Sequence, residues 1–208
     1  MKLRLPLFVV FEGIDGAGKS TLADMLFSRC SALGIPAWRG MEPTRGEWGM
    51  KIRRMLGGVG ASAEEQVRLF MLDREDDVRE NIAPALESGK LVILDRYYFS
   101  NAAYQGAQGL EPSRIIEMNR ERRFPAPDRV YLVDIDPATA MRRVGNRGGE
   151  AREIFETERF LERVRSAYAA IRDNTFLVLD GSLSPDEIIS HIARDLEDRF
   201  SVYEKQTR

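Results

Sequence analysis

Gly13-Ile14-Asp15-Gly16-Ala17-Gly18-Lys19-Ser20 restricts the fold of this chain more than any other segment. Glycine, four residues, glycine, lysine and serine make a phosphate cradle only when a strand enters the turn and a helix leaves it, because the turn then aims several backbone N–H groups and a helix N-terminus at one anion. Both flanks are present. A strand is expected over residues 7–12, apolar from Leu7 to Phe11, and Leu22, Met25, Leu26 and Cys30 recur at helical spacing until Gly34 and Pro36 stop them. The loop predicts a nucleoside-triphosphate site in which Gly13, Gly16, Ala17, Gly18 and Thr21 surround the phosphates. Lys19 reaches the outer phosphates and Ser20 offers a hydroxyl to magnesium.

A strand-loop-helix start needs further strands beside it. Residues 37–40, 91–95, 130–134 and 176–179 are short β-rich runs separated by longer helical stretches, and near-continuous apolar strands suit a sheet covered on both faces. The predicted class is therefore α/β, a five-stranded parallel sheet flanked by helices, in one domain over residues 1–208. One long helical stretch covers 63–87, with Pro84 a kink or boundary. Asp136 and Pro137 open another as N-cap and first residue. Further stretches cover 154–171 and 185–200. Residues 41–49 and the glycine-arginine stretch 143–152 are irregular, the second being expected to form a mobile loop.

Composition removes several classes. A net charge of -2 supplies no basic field for nucleic acid. A single cysteine, Cys30, excludes an internal disulfide framework and favours a cytoplasmic chain, and the one histidine, His191, stands in a helical stretch without the company of a catalytic triad. No apolar stretch approaches the ~18 residues that span a membrane.

The run 91–95 ends in Asp95, where a buried strand would deliver a carboxylate to a metal ion; a plain turn role is the other reading. At this point the chain resembles a known family. Phe11 to Thr21, then Asp95-Arg96-Tyr97 and Ser100-Asn101-Ala102-Ala103-Tyr104-Gln105-Gly106, look like thymidylate kinases over nearly the whole length. The resemblance implies transfer of a phosphoryl group from ATP to dTMP, with magnesium at Ser20 and Asp95, in a homodimer serving dTTP synthesis. It gives catalytic roles to Asp15, Lys19, Arg96, Arg147 and Arg152, the last two in a lid at about 143–153. Arg74 and Arg96 match residues that bind the acceptor monophosphate, and Glu42 and Pro43 match a loop beside it. Phe70 matches a ring stacked on the thymine, although it also fits an apolar stripe with Val67 and Met71. Asn101, Tyr104 and Gln105 match the segment along the sugar and base, with the tyrosine against a 2′-hydroxyl.

The chain departs from the family in three places. Met41-Glu42-Pro43-Thr44-Arg45-Gly46 stands where Arg-Glu-Pro-Gly-Gly-Thr is usual, and Arg45 is a candidate replacement for the missing arginine. Gly16 and Ala17 stand where some members carry an extra arginine, which leaves that charge to the lid. Gly145 and Ala151 replace a common arginine and aspartate there. Two other functions stay open on the sequence: a kinase for a different nucleotide or deoxynucleoside, and a nucleotide-dependent regulator without kinase activity.

Overall fold

The computed structural model describes residues 2–58, 60–145 and 158–201. Five parallel strands, β1 (Leu7–Glu12), β2 (Ala37–Met41), β3 (Leu91–Asp95), β4 (Arg129–Asp134) and β5 (Phe176–Asp180), form one sheet in the order β2-β3-β1-β4-β5. All six residues of β1 are buried, as expected of a central strand covered by helices on both faces. Later strands pair on either side of β1, so a crevice opens at the carboxyl ends of the strands where the chain changes direction. The register brings chemistry to that edge, with Phe11 and Met41 both opposite Asp95. The α/β class and its five-stranded parallel sheet are as predicted, with strand limits displaced by a residue at most.

Helix α1 (Lys19–Ala32) leaves β1 through the glycine loop. The 63–87 stretch is continuous but not uniform: α3 (Ala63–Asp77), a π-helical turn at Val78–Ile82, then α4 (Ala83–Glu87). Pro84 explains the irregularity, since its ring clashes with a regular preceding turn, and the wider turn carries the Ala83 N–H to the Val78 carbonyl instead. Asp136 caps α7 (Pro137–Gly145) by accepting from the Thr139 N–H at 2.9 Å. Helices α8 (Glu158–Ile171) and α9 (Pro185–Phe200) complete the flanks.

The structure corrects the expectation of irregular chain over 41–49. Met41 ends β2, and Glu47 opens α2 (Glu47–Leu56). Two further helices, α5 (Tyr98–Ala107) and α6 (Pro112–Glu121), follow β3. Every residue of α5 from Tyr98 to Gln105 is buried, and it packs against α3, α6 and α8. A helix enclosed in this way holds its polar side chains in fixed places, and Ser100, Asn101, Tyr104 and Gln105 are among them.

Candidate active site

The phosphate loop closes as its glycines allow. Gly18 takes φ 98° as the N-cap of α1, and a side chain there would meet no atom within 4 Å among the described residues, which leaves the space above the helix N-terminus for an anion. Gly16 is the opposite case: a Cβ would come within 2.3 Å of the Ala140 carbonyl oxygen. With Ala17 buried in the core, this loop conformation has no room for an arginine. Lys19 is 6% exposed and turns its Nζ onto the Ile14 carbonyl at 2.8 Å.

Burial first, and the charge of Arg96 second, lower the Lys19 pKa to about 8. Phosphate oxygens favour the ammonium form, so triphosphate binding is expected to take up protons, from almost none at about pH 6.5 to about half a proton at about pH 8. Binding calorimetry in buffers of different ionisation enthalpy measures this directly. Uptake that stays flat across that range would place the Lys19 pKa elsewhere.

Asp95 and Ser20 meet beside the loop. The exposed Ser20 hydroxyl donates to Asp95 Oδ2 at 2.5 Å, while buried Asp95 Oδ1 has no hydrogen-bond partner among the described residues. An unpaired buried carboxylate oxygen next to a solvent-facing hydroxyl is a hard-oxygen donor set, and it fits a magnesium ion that keeps most of its waters. No group of three or more acidic, histidine or cysteine side chains among the described residues offers a fuller cage.

Arg96 joins this half of the site to the other. Its guanidinium donates to the Gly13 carbonyl at 3.2 Å, to Ser100 Oγ at 3.0 Å and to the Asp15 carboxylate. Tyr104 ties the same carboxylate to α5: its hydroxyl donates to Asp15 Oδ2 at 2.7 Å and accepts from the Asp15 N–H at 3.0 Å. Burial works against the Asp15 charge, but Arg96 and Lys19 outweigh it and hold the carboxyl below the usual range. Beneath them, Glu12 is fully buried at the end of β1. It accepts from the Tyr97 N–H at 2.9 Å, from Ser100 Oγ at 2.6 Å and from the Tyr168 hydroxyl at 2.8 Å. Burial pushes the Glu12 carboxyl upward against these bonds. Sequence reasoning assigned it nothing, because its partners lie 85 or more residues away.

A cavity of about 330 Å³ opens on the far side of Arg96, lined by Phe70, Arg74, Asn101, Tyr104 and Gln105 among others. Phe70 is half-buried and faces it, whereas Val67 and Met71 belong to a separate apolar cluster, so the ring is not a member of that stripe's core. Arg74 is 1% exposed and its fork is already filled. Nε and Nη2 donate to Glu42 at 2.5–3.2 Å, Nη2 also to Asn101 Oδ1 at 2.8 Å, and Nη1 to Asn119 Oδ1 at 2.8 Å. This differs from the expectation that Arg74 grips a monophosphate, since no two parallel N–H groups remain for one. A single Nη1 N–H remains among the described residues.

The altered loop after β2 is held from both sides. The Thr44 N–H and hydroxyl donate to Asp73 at 2.7 and 2.6 Å, while the Arg53 guanidinium donates to the carbonyls of Pro43 and Thr44. Arg45 is exposed and lines neither cavity, so it does not replace the missing arginine. Arg53 does face the site, and the apolar period of Ile52, Met55 and Leu56 could have shown its helix. Arg147 and Arg152 lie outside the described residues, as does the lid beyond Gly145.

The phosphate loop lines a second cavity of about 240 Å³, together with Asp95 and Thr21. Four residues, Asp15, Glu42, Arg53 and Arg96, line both cavities, so the two adjoin at a charged partition.

Comparison with known proteins agrees with this geometry. A family model described as thymidylate kinase matches residues 11–192. The chain is 46% identical over 190 residues to a thymidylate kinase of Leptospira borgpetersenii, covering 91% of this chain and 92% of that one. A thymidylate kinase of Akkermansia muciniphila is 41% identical over 192 residues, with 92% of each chain covered. One from Xanthomonas oryzae is 40% identical over 199 residues, 94% of this chain and 86% of its own.

Proposed function

The chain belongs to the thymidylate kinase family, and we propose that it moves the terminal phosphoryl group of ATP onto dTMP, giving dTDP and ADP, by holding the two nucleotides in its two adjoining cavities. The observation that carries this reading is the shared partition of Asp15, Glu42, Arg53 and Arg96. A switch protein needs a triphosphate cradle; it has no use for a second pocket whose mouth opens on the outer phosphate.

Phosphoryl transfer demands alignment and charge neutralisation more than covalent chemistry. On this reading Lys19 leaves the Ile14 carbonyl for the outer phosphates, and Arg96 sits where donor and acceptor phosphates converge. Asp15 orients both through Arg96 and Tyr104. Ser20 and Asp95 would hold magnesium, which when bound neutralises phosphate charge. The lid arginines Arg147 and Arg152 would complete the enclosure.

In the acceptor cavity the Phe70 ring offers a stacking face, Glu42 and Pro43 shape the wall, and the remaining Arg74 N–H suits a single carbonyl oxygen on the base. Asn101 and Gln105 border the same edge. Tyr104, held by Asp15, is a fixed hydroxyl against which a ribose 2′-oxygen would crowd. The resemblance further supports one kinase unit over residues 1–208, a homodimer, and a role in dTTP synthesis in the cytoplasm. No helix among the described residues is long and apolar enough to cross a membrane.

Purified protein with ATP, magnesium and a panel of dTMP, dUMP, dCMP and thymidine is expected to give its highest kcat/KM with dTMP. Absence of dTDP from that mixture would reject the assignment.

A further inference from the structure

Three amide side chains lie in file behind the acceptor cavity, between α3 and α5. Arg74 Nη2 donates to Asn101 Oδ1 at 2.8 Å, Asn101 Nδ2 to Gln105 Oε1 at 3.3 Å, and Gln105 Nε2 to Gln66 Oε1 at 3.0 Å. Gln66 Nε2 then donates to the Ala61 carbonyl at 3.0 Å, and Gln108 Nε2 reinforces Gln66 Oε1 at 3.0 Å. Every donor points the same way. Chemistry at the two ends enforces this, because a guanidinium can only donate and a backbone carbonyl can only accept. An amide in the middle cannot turn over without breaking a bond on each side.

The direction matters for what the cavity presents. Asn101 and Arg74 line the cavity with Gln105, whereas Gln66, Gln108 and Ala61 do not. Gln105 therefore keeps its carbonyl oxygen toward the cavity side and its NH₂ toward Gln66 behind. That oxygen has a second lone pair beyond the long bond from Asn101. A 4-keto pyrimidine offers a ring N–H to it and a carbonyl to the remaining Arg74 N–H. A 4-amino pyrimidine offers an acceptor and a donor in those places, and both protein groups would be left unpaired.

We infer that Gln66 is a positioning residue for base choice: by holding Gln105 it makes the pocket select a 4-keto pyrimidine monophosphate over a 4-amino one. The inference rests on the acceptor cavity taking a pyrimidine nucleotide, as proposed above. Gln66 touches no substrate. It is 5% exposed and acts through the orientation of Gln105.

The test compares kcat/KM for dTMP, dUMP and dCMP in the full chain with wild type, Q66M, Q66L and Q66E, with competition binding for dCMP where turnover is too slow. Wild type making dTDP upholds the kinase reading independently. In Q66M and Q66L only the long 3.3 Å bond from Asn101 still orients the Gln105 amide, so it can turn at the loss of that one bond, and the dTMP to dCMP ratio is expected to fall at least about tenfold. The dTMP to dUMP ratio should stay within about twofold, since those bases share the same edge. Q66E, kept protonated by burial, donates its hydroxyl to the Ala61 carbonyl and keeps one acceptor oxygen for Gln105 and Gln108, so it should keep the wild-type dCMP ratio. An unchanged dCMP ratio in the folded apolar variants overturns the inference, as does a parallel fall for dUMP. Q66E behaving like Q66M also overturns it, and failure of both apolar variants to fold would make Gln66 structural instead.

Discussion

Replacing Arg96 with methionine is expected to lower kcat about 100- to 1,000-fold, the effect of withdrawing one preorganised donor from a site of developing charge. The residue is held more firmly than a surface arginine. Its backbone takes φ 70°, a left-handed conformation uncommon without glycine, and its N–H is fixed to the Phe11 carbonyl at 2.9 Å. Gly13, Ser100 and Asp15 then take up the guanidinium, so the charge is in place before substrate arrives. Methionine keeps the backbone cost and the apolar stem while removing the charge. It also leaves the Asp15 carboxylate without its paired guanidinium, with the charge of Lys19 alone beside it. Breaking a fully buried pair costs about 3–5 kcal/mol, and about 2–4 kcal/mol is expected here because Asp15 keeps 32% of its side chain in water. Urea denaturation and saturating turnover separate the two effects. A variant that loses stability but keeps kcat would reduce Arg96 to a structural role. Lysine should rescue little, since a point charge cannot serve Gly13, Ser100 and Asp15 together.

The second large effect belongs to Glu42. Its side chain and that of Arg74 are 3% and 1% exposed, and the pair is the deepest charge contact in the acceptor cavity. Glu42→Ala takes the hydrogen-bonded carboxylate away from a guanidinium in the interior, and a loss of about 3–5 kcal/mol in unfolding free energy is expected. The sign changes on further substitution. Removing the stranded cation as well, in Glu42→Ala with Arg74→Met, should recover at least half of that loss, because two apolar side chains do not need each other's charge. The KM for dTMP should be raised in the double variant, where Asn101 loses the Arg74 donor that orients it. A double variant as unstable as the single one would mean that lost packing, and not the buried charge, sets the cost.

Local pattern and tertiary encounter account for what could and could not be read beforehand. The phosphate loop, the apolar strands and the Asp136-Pro137 start follow from neighbours in sequence, and each was legible. Helix α2 was not, because Gly46 and Gly49 flank Trp48 in a stretch that resembles a loop. Gly49 has a reason of its own: a Cβ there would lie 2.0 Å from the Thr44 carbonyl oxygen, so the residue marks where the altered loop crosses the helix. The family match placed Arg74 in the acceptor site, yet it could not show that Glu42, 32 residues earlier, already occupies its fork. Glu12, Arg53 and Gln66 escaped notice for the same cause. None belongs to a short motif with its partners, and their roles exist only once β1, α2, α3 and α5 are packed together.

Tyr104 bonds both the N–H and the carboxylate of Asp15, so the helix that walls the acceptor cavity is pinned to the loop that cradles the donor. A nucleotide that shifts Asp15 must shift Tyr104 with it, and the affinities of the two substrates are thereby linked. Thermodynamics makes that linkage mutual: whatever factor ATP imposes on the dissociation constant of dTMP, dTMP imposes on that of ATP.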